Sequence, residues 1–258
     1  MTAAAPDFKL KLAETAADIQ AAQRLRYEVF VAELGAKGAA VDHTSRLEKD
    51  RYDPFFDHLL LLDRNRKTDD RVVGVYRLMR PEQAERAGQF YSENEYDLKG
   101  LKRSGRRMLE LGRSCVHADY RGGMAMYELW SGLSDYVARH DIEVLFGVAS
   151  FPGTDIAALA QPLSFLHHRH LAPPELRVTA REPGAQRMDL VPPDALDRRA
   201  AMLATPALIK AYLRLGGFVG RGAWVDHAFN TTDVCLVMDT ARMNARQRDI
   251  YSRPRKSR

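Results

Sequence analysis

Nowhere in these 258 residues does an apolar run approach eighteen, so hydropathy offers no helix able to cross a membrane. The opening MTAAAPDFKLKLAE lacks the basic segment and apolar stretch of a secretory signal, and the expected compartment is the cytoplasm. Cysteine is scarce. Cys115 and Cys235 both sit in apolar runs, which favours buried free thiols over a disulfide, a redox couple or a metal site. With 17 Gly and 12 Pro there is no composition for a long disordered region, and no internal repeat or low-complexity tract is visible.

What is present is ordinary for a folded chain: 45% apolar and 28% charged residues. The length suits one large domain, expected over residues 1–241, with the Pro- and charge-rich stretch at about 169–200 as a candidate insertion. The net charge of +5 is concentrated in residues 242–258, where seven basic residues face one acid. This tail suits peripheral contact with an anionic membrane at its inner face, or a frayed solvated terminus. Nucleic acid is not expected as a partner.

Patterning predicts a mixed α/β domain. FKLKLA alternates as a strand, and residues 15–35 carry apolar positions at helical spacing up to Gly35. Residues 36–56 show no periodicity and read as a long, charged loop of the kind that carries function. HLLLLDR and RVVGVYRLM read as a hairpin. MLELGRSCV, AMYELWSGLSDYVARH and EVLFGVASF then follow as strand, helix and strand. A helix at about 155–168, PALIKAYLRLGG as another and the strand DVCLVMD complete the reading, with AWVDHAFNTTD irregular. HHRH at 167–170 has no partner pair at metal-ligand spacing, so no metal is expected.

The stretch Met108 to Gly123, MLELGRSCVHADYRGG, puts Glu110 and Arg113 inside an apolar strand on opposite faces. Buried charges must pair, reach a cleft, or sit at a bulge, and Gly112 is where a bulge forms most easily. A Glu110–Arg113 pair that only fastens the sheet is the structural alternative. The Gly122-Gly123 turn leads into a helix, whose first N–H groups suit a phosphate.

Strand, glycine turn, helix and next strand resemble the cofactor-binding core of the Gcn5-related N-acetyltransferase (GNAT) fold. Tyr120-Arg121-Gly122-Gly123-Met124-Ala125 matches that family's R/Q-x-x-G-x-G/A loop at Gly123 and Ala125, with Tyr120 departing from it. Arg26 with Phe30, Asp50 with Asp53, Arg77 with Leu78, and Glu110 with Arg113 reproduce, in order, the motifs of acyl-homoserine-lactone synthases. That family's tryptophan is absent near Ala36, Gly112 replaces a serine, and the second half is dissimilar. LRYEVFVAELGA, VHADYRGGMAMYELWSGL and TPALIKAYLRLGGFVGRGAWVDHAFNTTDVCLVMD resemble instead the bacterial ornithine–acyl-ACP N-acyltransferases, nearly throughout.

These resemblances imply a GNAT (acyl-CoA N-acyltransferase) fold, a central mixed twisted sheet flanked by helices. They also imply transfer of a 3-hydroxyacyl chain from acyl carrier protein to the α-amine of ornithine, giving lyso-ornithine lipid. The co-substrate would be the carrier's 4′-phosphopantetheine thioester, with no tightly bound cofactor. Glu110 would accept the amine's proton, with Arg113 beside it. Arg26, Arg77 or Arg113 would hold the substrate carboxylate, and Asp50, Asp53 or Asp233 a side-chain ammonium, with Arg113 and Asp53 ranked first. Phe30 belongs to the same motif set. Val116, Arg121, Gly122, Gly123 and Ala125 would receive the phosphopantetheine. Five basic residues in KGLKRSGRR would face acidic carrier protein. Alternatives are the same chemistry on glutamine, lactone synthesis, and a non-catalytic domain that binds carrier protein or membrane.

Overall fold

In a computed structural model, residues 5–243 are described; residues 1–4 and most of the basic tail, from 244 onward, lie outside the described residues. In chain order the elements begin with β1 (Phe8–Leu12), α1 (Ala16–Arg26), β2 (Val41–Asp42), β3 (Leu47–Glu48), β4 (Asp57–Asp63) and β5 (Val72–Met79). Next come α2 (Pro81–Ala87), β6 (Tyr96–Asp97), α3 (Lys99–Arg103), β7 (Met108–Val116), α4 (Met124–Arg139) and β8 (Val144–Pro152). The second half adds α5 (Ala160–His170), β9 (Thr179–Ala180), β10 (Ala185–Gln186), α6 (Arg198–Ala204) and α7 (Ala207–Arg214). Three strands close the order: β11 (Phe218–Val219), β12 (Ala223–Asp226) and β13 (Thr231–Asp239). The described residues group into two compact units, 5–79 with 111–141, and 80–110 with 142–243.

In the first unit the sheet runs β1-β4-β5-β7. β4 pairs antiparallel with β1 and with β5, and His58 lies opposite Arg77. The four-leucine run of β4 has its first three leucines at most 4% exposed, because both faces of the sheet are covered and alternation is unnecessary. On one face Ala22 and Leu25 of α1, with Val29 just beyond it, pack on Leu60, Val75 and Cys115. On the other, α4 comes so close that a Cβ at Gly132 would lie 3.1 Å from Leu10 and 3.2 Å from Leu59. The buried Ala125, Leu129, Leu133 and Tyr136 of α4 recur every three or four residues, as one helix face requires.

α1 starts where the sequence predicts. Thr15 accepts from the Asp18 amide while the Asp18 carboxylate accepts from Thr15, a reciprocal cap. The predicted α-helix does not reach Gly35 in one form, however; from Tyr27 to Glu33 it widens into a π-helix. The Leu34 amide reaches Val29 and the Gly35 amide reaches Val31, at 3.2 and 3.0 Å. Two β-branched valines and two aromatics in this segment crowd a regular α turn, and π segments often mark functional positions. Gly35, at φ 76, ends it in the left-handed region.

In the second unit, β8 pairs antiparallel with β13 along nine residues, and β7 joins β8 in parallel through Met108–Glu110. β12 lies on β13, β10 on β12, and β11 also on β13. AWVDHAFNTTD is therefore not irregular: it supplies β12 and the start of β13, because Ala223 and Val225 alternate inward around a short turn. The candidate insertion at 169–200 is ordered and carries two strands and α6. One of its links to α5 is the buried Ser164, whose hydroxyl donates to Met188 O and accepts from the Leu190 and Val191 amides. Both cysteines are free and buried, and burial pushes the Cys115 thiol up to about 12.

Candidate active site

Five of the residues singled out from sequence converge in the first unit. Arg26 ends α1, Arg77 lies on β5, Arg113 on β7, and Asp50 and Asp53 come from the charged loop before β4. The sixth member is Glu48 on β3. Arg26 and Arg77 are 0% exposed, as is Glu48, and Asp53 is 4%. Three guanidinium groups thus face three carboxylates, a balance that permits the charges to be buried at all.

Asp53 is the centre. Its Oδ1 accepts from Arg26 Nη1 at 2.6 Å and Arg77 Nη1 at 2.7 Å, its Oδ2 from Gln23 Nε2 at 2.8 Å and the Asp50 amide at 3.3 Å. Arg77 Nη1 also donates to both Asp50 oxygens, and its guanidinium lies 4.3 Å from the Phe56 ring centre. Arg26 Nε pairs with Glu48. Burial alone would raise each carboxyl group. The Arg113 and Arg26 charges outweigh it at Glu48, Arg77 and Arg113 at Asp50, and Arg26 and Arg77 at Asp53, so all three stay below the ordinary carboxylate range.

Arg113 differs from the other two arginines. Its side chain is 10% exposed, and its pairs are the longest of the network, 3.2 Å to Glu48 and 3.4 Å to Asp50. Its φ of 48 is left-handed, a conformation that costs a non-glycine residue about 1–2 kcal/mol. The irregularity expected at Gly112 falls one residue later, where two ion pairs hold the side chain against that cost. Asp50, 14% exposed, is the carboxylate beside it. The partly exposed end of the network therefore shows one cation and one anion side by side.

Glu110, in the second unit, has a separate setting. It is 1% exposed; its oxygens accept from the Tyr91 amide at 2.8 Å, the Ser92 amide at 2.6 Å, and the Ser92 hydroxyl. Three donors favour its ionised form and tie the 91–94 turn to β7. Asp233 is 4% exposed on β13, and its carboxylate comes within 4.8 Å of those of Glu95 and Asp226. Phe30 packs on the α1–sheet core.

Around the glycine turn, Gly122 has φ 74 and Gly123 caps α4. The Tyr120 hydroxyl donates to Asp63 at 2.7 Å. Arg121 is turned back: Nε donates to Val116 O at 2.9 Å and the guanidinium pairs with Glu33. Ala125 is 0% and Val116 6% exposed. In the basic stretch of α3 and the residues after it, Lys102 pairs with Glu93 and Arg106 with Asp239, while Lys99, Arg103 and Arg107 are exposed. His168 bonds Val191 O, and the His170 ring meets that of Phe165 at a tilt of 57°.

Glu48, Ser92 and Gln23 were not foreseen. Charge counting could have found Glu48, since three arginines in apolar elements demand a third acid. Ser92 and Gln23 leave no sequence signal, because each is defined by a contact to a distant residue.

A mixed sheet flanked by helices is the architecture of GNAT-type acyltransferases, and residues 25–131 match the family model for an acetyltransferase (GNAT) domain. The solved acyl-homoserine-lactone synthase LasI superposes with TM-score 0.52 over 96% of this chain and 95% of that one; at 15% identity it supports the fold alone. The L-ornithine N(alpha)-acyltransferase of Rhodobacter capsulatus is 59% identical over 255 residues, 98% of this chain and 98% of that protein. That of Brucella abortus is 44% identical over 248 residues, 95% and 88% of the two chains. The chain belongs to the L-ornithine N(alpha)-acyltransferase family. It is an acyltransferase, and among its described residues no helix is long and apolar enough to cross a membrane.

Proposed function

We propose that this enzyme transfers a 3-hydroxyacyl chain from acyl carrier protein to the α-amine of L-ornithine, producing lyso-ornithine lipid. The observation that carries the amino-acid part is the Arg113–Asp50 end of the network, a cation and an anion 3.4 Å apart and partly exposed. A free amino acid is a zwitterion, so its carboxylate can take the Arg113 fork while its ammonium approaches Asp50. The names of relatives at 59% and 44% identity support ornithine.

In the proposed reaction the α-ammonium loses one proton, the amine so freed attacks the thioester carbonyl to form the amide bond, and the C–S bond breaks, the second proton leaving the nitrogen passing to the departing sulfur to give the carrier thiol. Glu110 accepts the first of these protons, directly or through water, its carboxylate held in place by the Ser92 hydroxyl and the Tyr91 and Ser92 amides. Backbone N–H groups between Gly112 and Ser114 receive the transient oxyanion. The carrier arm lies against Val116, Gly122, Gly123 and Ala125. With Tyr120 held by Asp63 and Arg121 by Glu33, this loop spends its own cation internally. That suits the single phosphodiester of a phosphopantetheine arm better than the several phosphates of coenzyme A.

The purified chain, given 3-hydroxyacyl carrier protein or the matching coenzyme A thioester and a panel of amino acids, should form N-acylornithine from the carrier thioester. Mass spectrometry reads the product, and no N-acyl amino acid from any combination would overturn the proposal. Arg113→Lys should raise the KM for the amino acid about tenfold and Arg113→Ala about a hundredfold, because a charged, forked hydrogen bond is lost. Unchanged KM in both would remove Arg113 as the carboxylate anchor.

A further inference from the structure

His58 begins the buried run of β4 and is 1% exposed, yet neither the motif set nor the reaction uses it. Its place in the sheet is set by register: it lies directly opposite Arg77, so both side chains project from the same face of the β4–β5 pair, the face on which α1 packs. Its Nε2 lies 3.0 Å from the backbone carbonyl oxygen of Asp53. A carbonyl only accepts, so Nε2 must carry a proton. Its Nδ1 is buried with no hydrogen-bond partner among the described residues. A second proton there would place an unsatisfied N–H and a third buried cation beside Arg26 and Arg77.

We infer that His58 is a positioning residue: as a neutral Nε2–H donor it fixes the Asp53 main chain, and through Asp53 the arginine–carboxylate network that ends at Arg113 and Asp50. A neutral donor is the required chemistry. The network balances three guanidinium groups with three carboxylates, so Lys or Arg at position 58 would leave one positive charge unmatched, and an apolar residue would leave the Asp53 carbonyl without this donor. The charged groups facing the ring are Arg26 from α1, Arg77 from β5 and Asp53 from the turn before β4. Burial, aided by both arginines, pushes the imidazole down to about 4 against the pull of the Asp53 contact, which agrees with a ring that stays neutral.

The inference rests on the proposed reaction only for its kinetic consequence, and its test has two independent readings. In the full-length protein, ring nitrogen NMR shifts should show His58 neutral, protonated at Nε2 and not at Nδ1, from pH 8 down to pH 5. A charged ring at pH 6, or the opposite tautomer, overturns it. Kinetically, His58→Gln keeps an N–H donor where Nε2 stood, whereas His58→Asn places its amide where Nδ1 stood. His58→Gln should hold the amino-acid KM within about threefold of the parent, and His58→Asn should raise it about tenfold with kcat little changed, the scale of one lost buried hydrogen bond. A His58→Asn enzyme matching the parent, or a His58→Gln enzyme as impaired as His58→Asn, also overturns it. Absence of any N-acylated product from the parent would overturn the proposed function and leave the NMR reading of His58 in force.

Discussion

Asp53→Ala is expected to lower the unfolding free energy by about 3–5 kcal/mol, the scale for removing one partner of a buried ion pair. Two fully buried guanidinium groups lose their shared acceptor at 2.6 and 2.7 Å, and Arg26 keeps only Glu48 while Arg77 keeps Asp50. Asp53→Asn should lose less, because the amide oxygen still accepts, although its NH₂ must face donors. Denaturant unfolding measures both, and an alanine variant within 1 kcal/mol of the parent would contradict the keystone role.

The same network predicts how stability follows pH. The Asp53, Asp50 and Glu48 carboxyl groups are held below their unfolded values, so their contribution is complete above about pH 5 and fades as pH falls through the folded values. His58 acts over a higher window. Its folded value near 4 lies below the unfolded 6.5, so the unfolded chain gains a proton first and stability declines as pH drops from 6.5 towards 4. Replacing His58 by Gln should shrink that upper window, to which His167 and His170, also held below 6.5 by burial, contribute as well, and leave the acid one.

The second large effect is on turnover. Glu110→Gln should reduce kcat by about 10²- to 10⁴-fold, the range for losing a general base, with substrate KM changed little. Glutamine is a better probe than alanine here. Alanine would abandon two backbone amides and the Ser92 hydroxyl in a buried site, mixing a folding defect into the kinetics. Parental turnover in Glu110→Gln would end the proton-acceptor role and leave Glu110 as the anchor of the 91–94 turn.

Local pattern carried much of the fold. The alternation of FKLKLA, the helix start near residue 15, the hairpin of β4 and β5 and the order β7, α4, β8 follow from spacing and turn residues, and all appear in the structure. Pattern failed where neighbours in space set the outcome. The π-helical continuation of α1 answers crowding that α-helical periodicity does not register, and β12 forms in a polar stretch because β13 supplies a partner. Charged residues showed the same split. Arg26, Asp50, Asp53, Arg77 and Arg113 were recognisable as candidates, with Arg113 and Asp53 ranked first, yet sequence alone did not separate the buried Asp53 from the partly exposed Arg113 and Asp50.

The sequence by itself determined an α/β acyltransferase chain, its family, and five of the six charges of the network, because residue type and order survive without coordinates. Only the tertiary structure decided which charges face one another. Asp53 became a buried keystone, Arg113 the partly exposed end, Glu48 the missing counter-charge and His58 a neutral support. The reason is electrostatic: the energy of a buried charge depends on distance to its partners and on exclusion of water, and residues 22 to 65 positions apart acquire those only on folding.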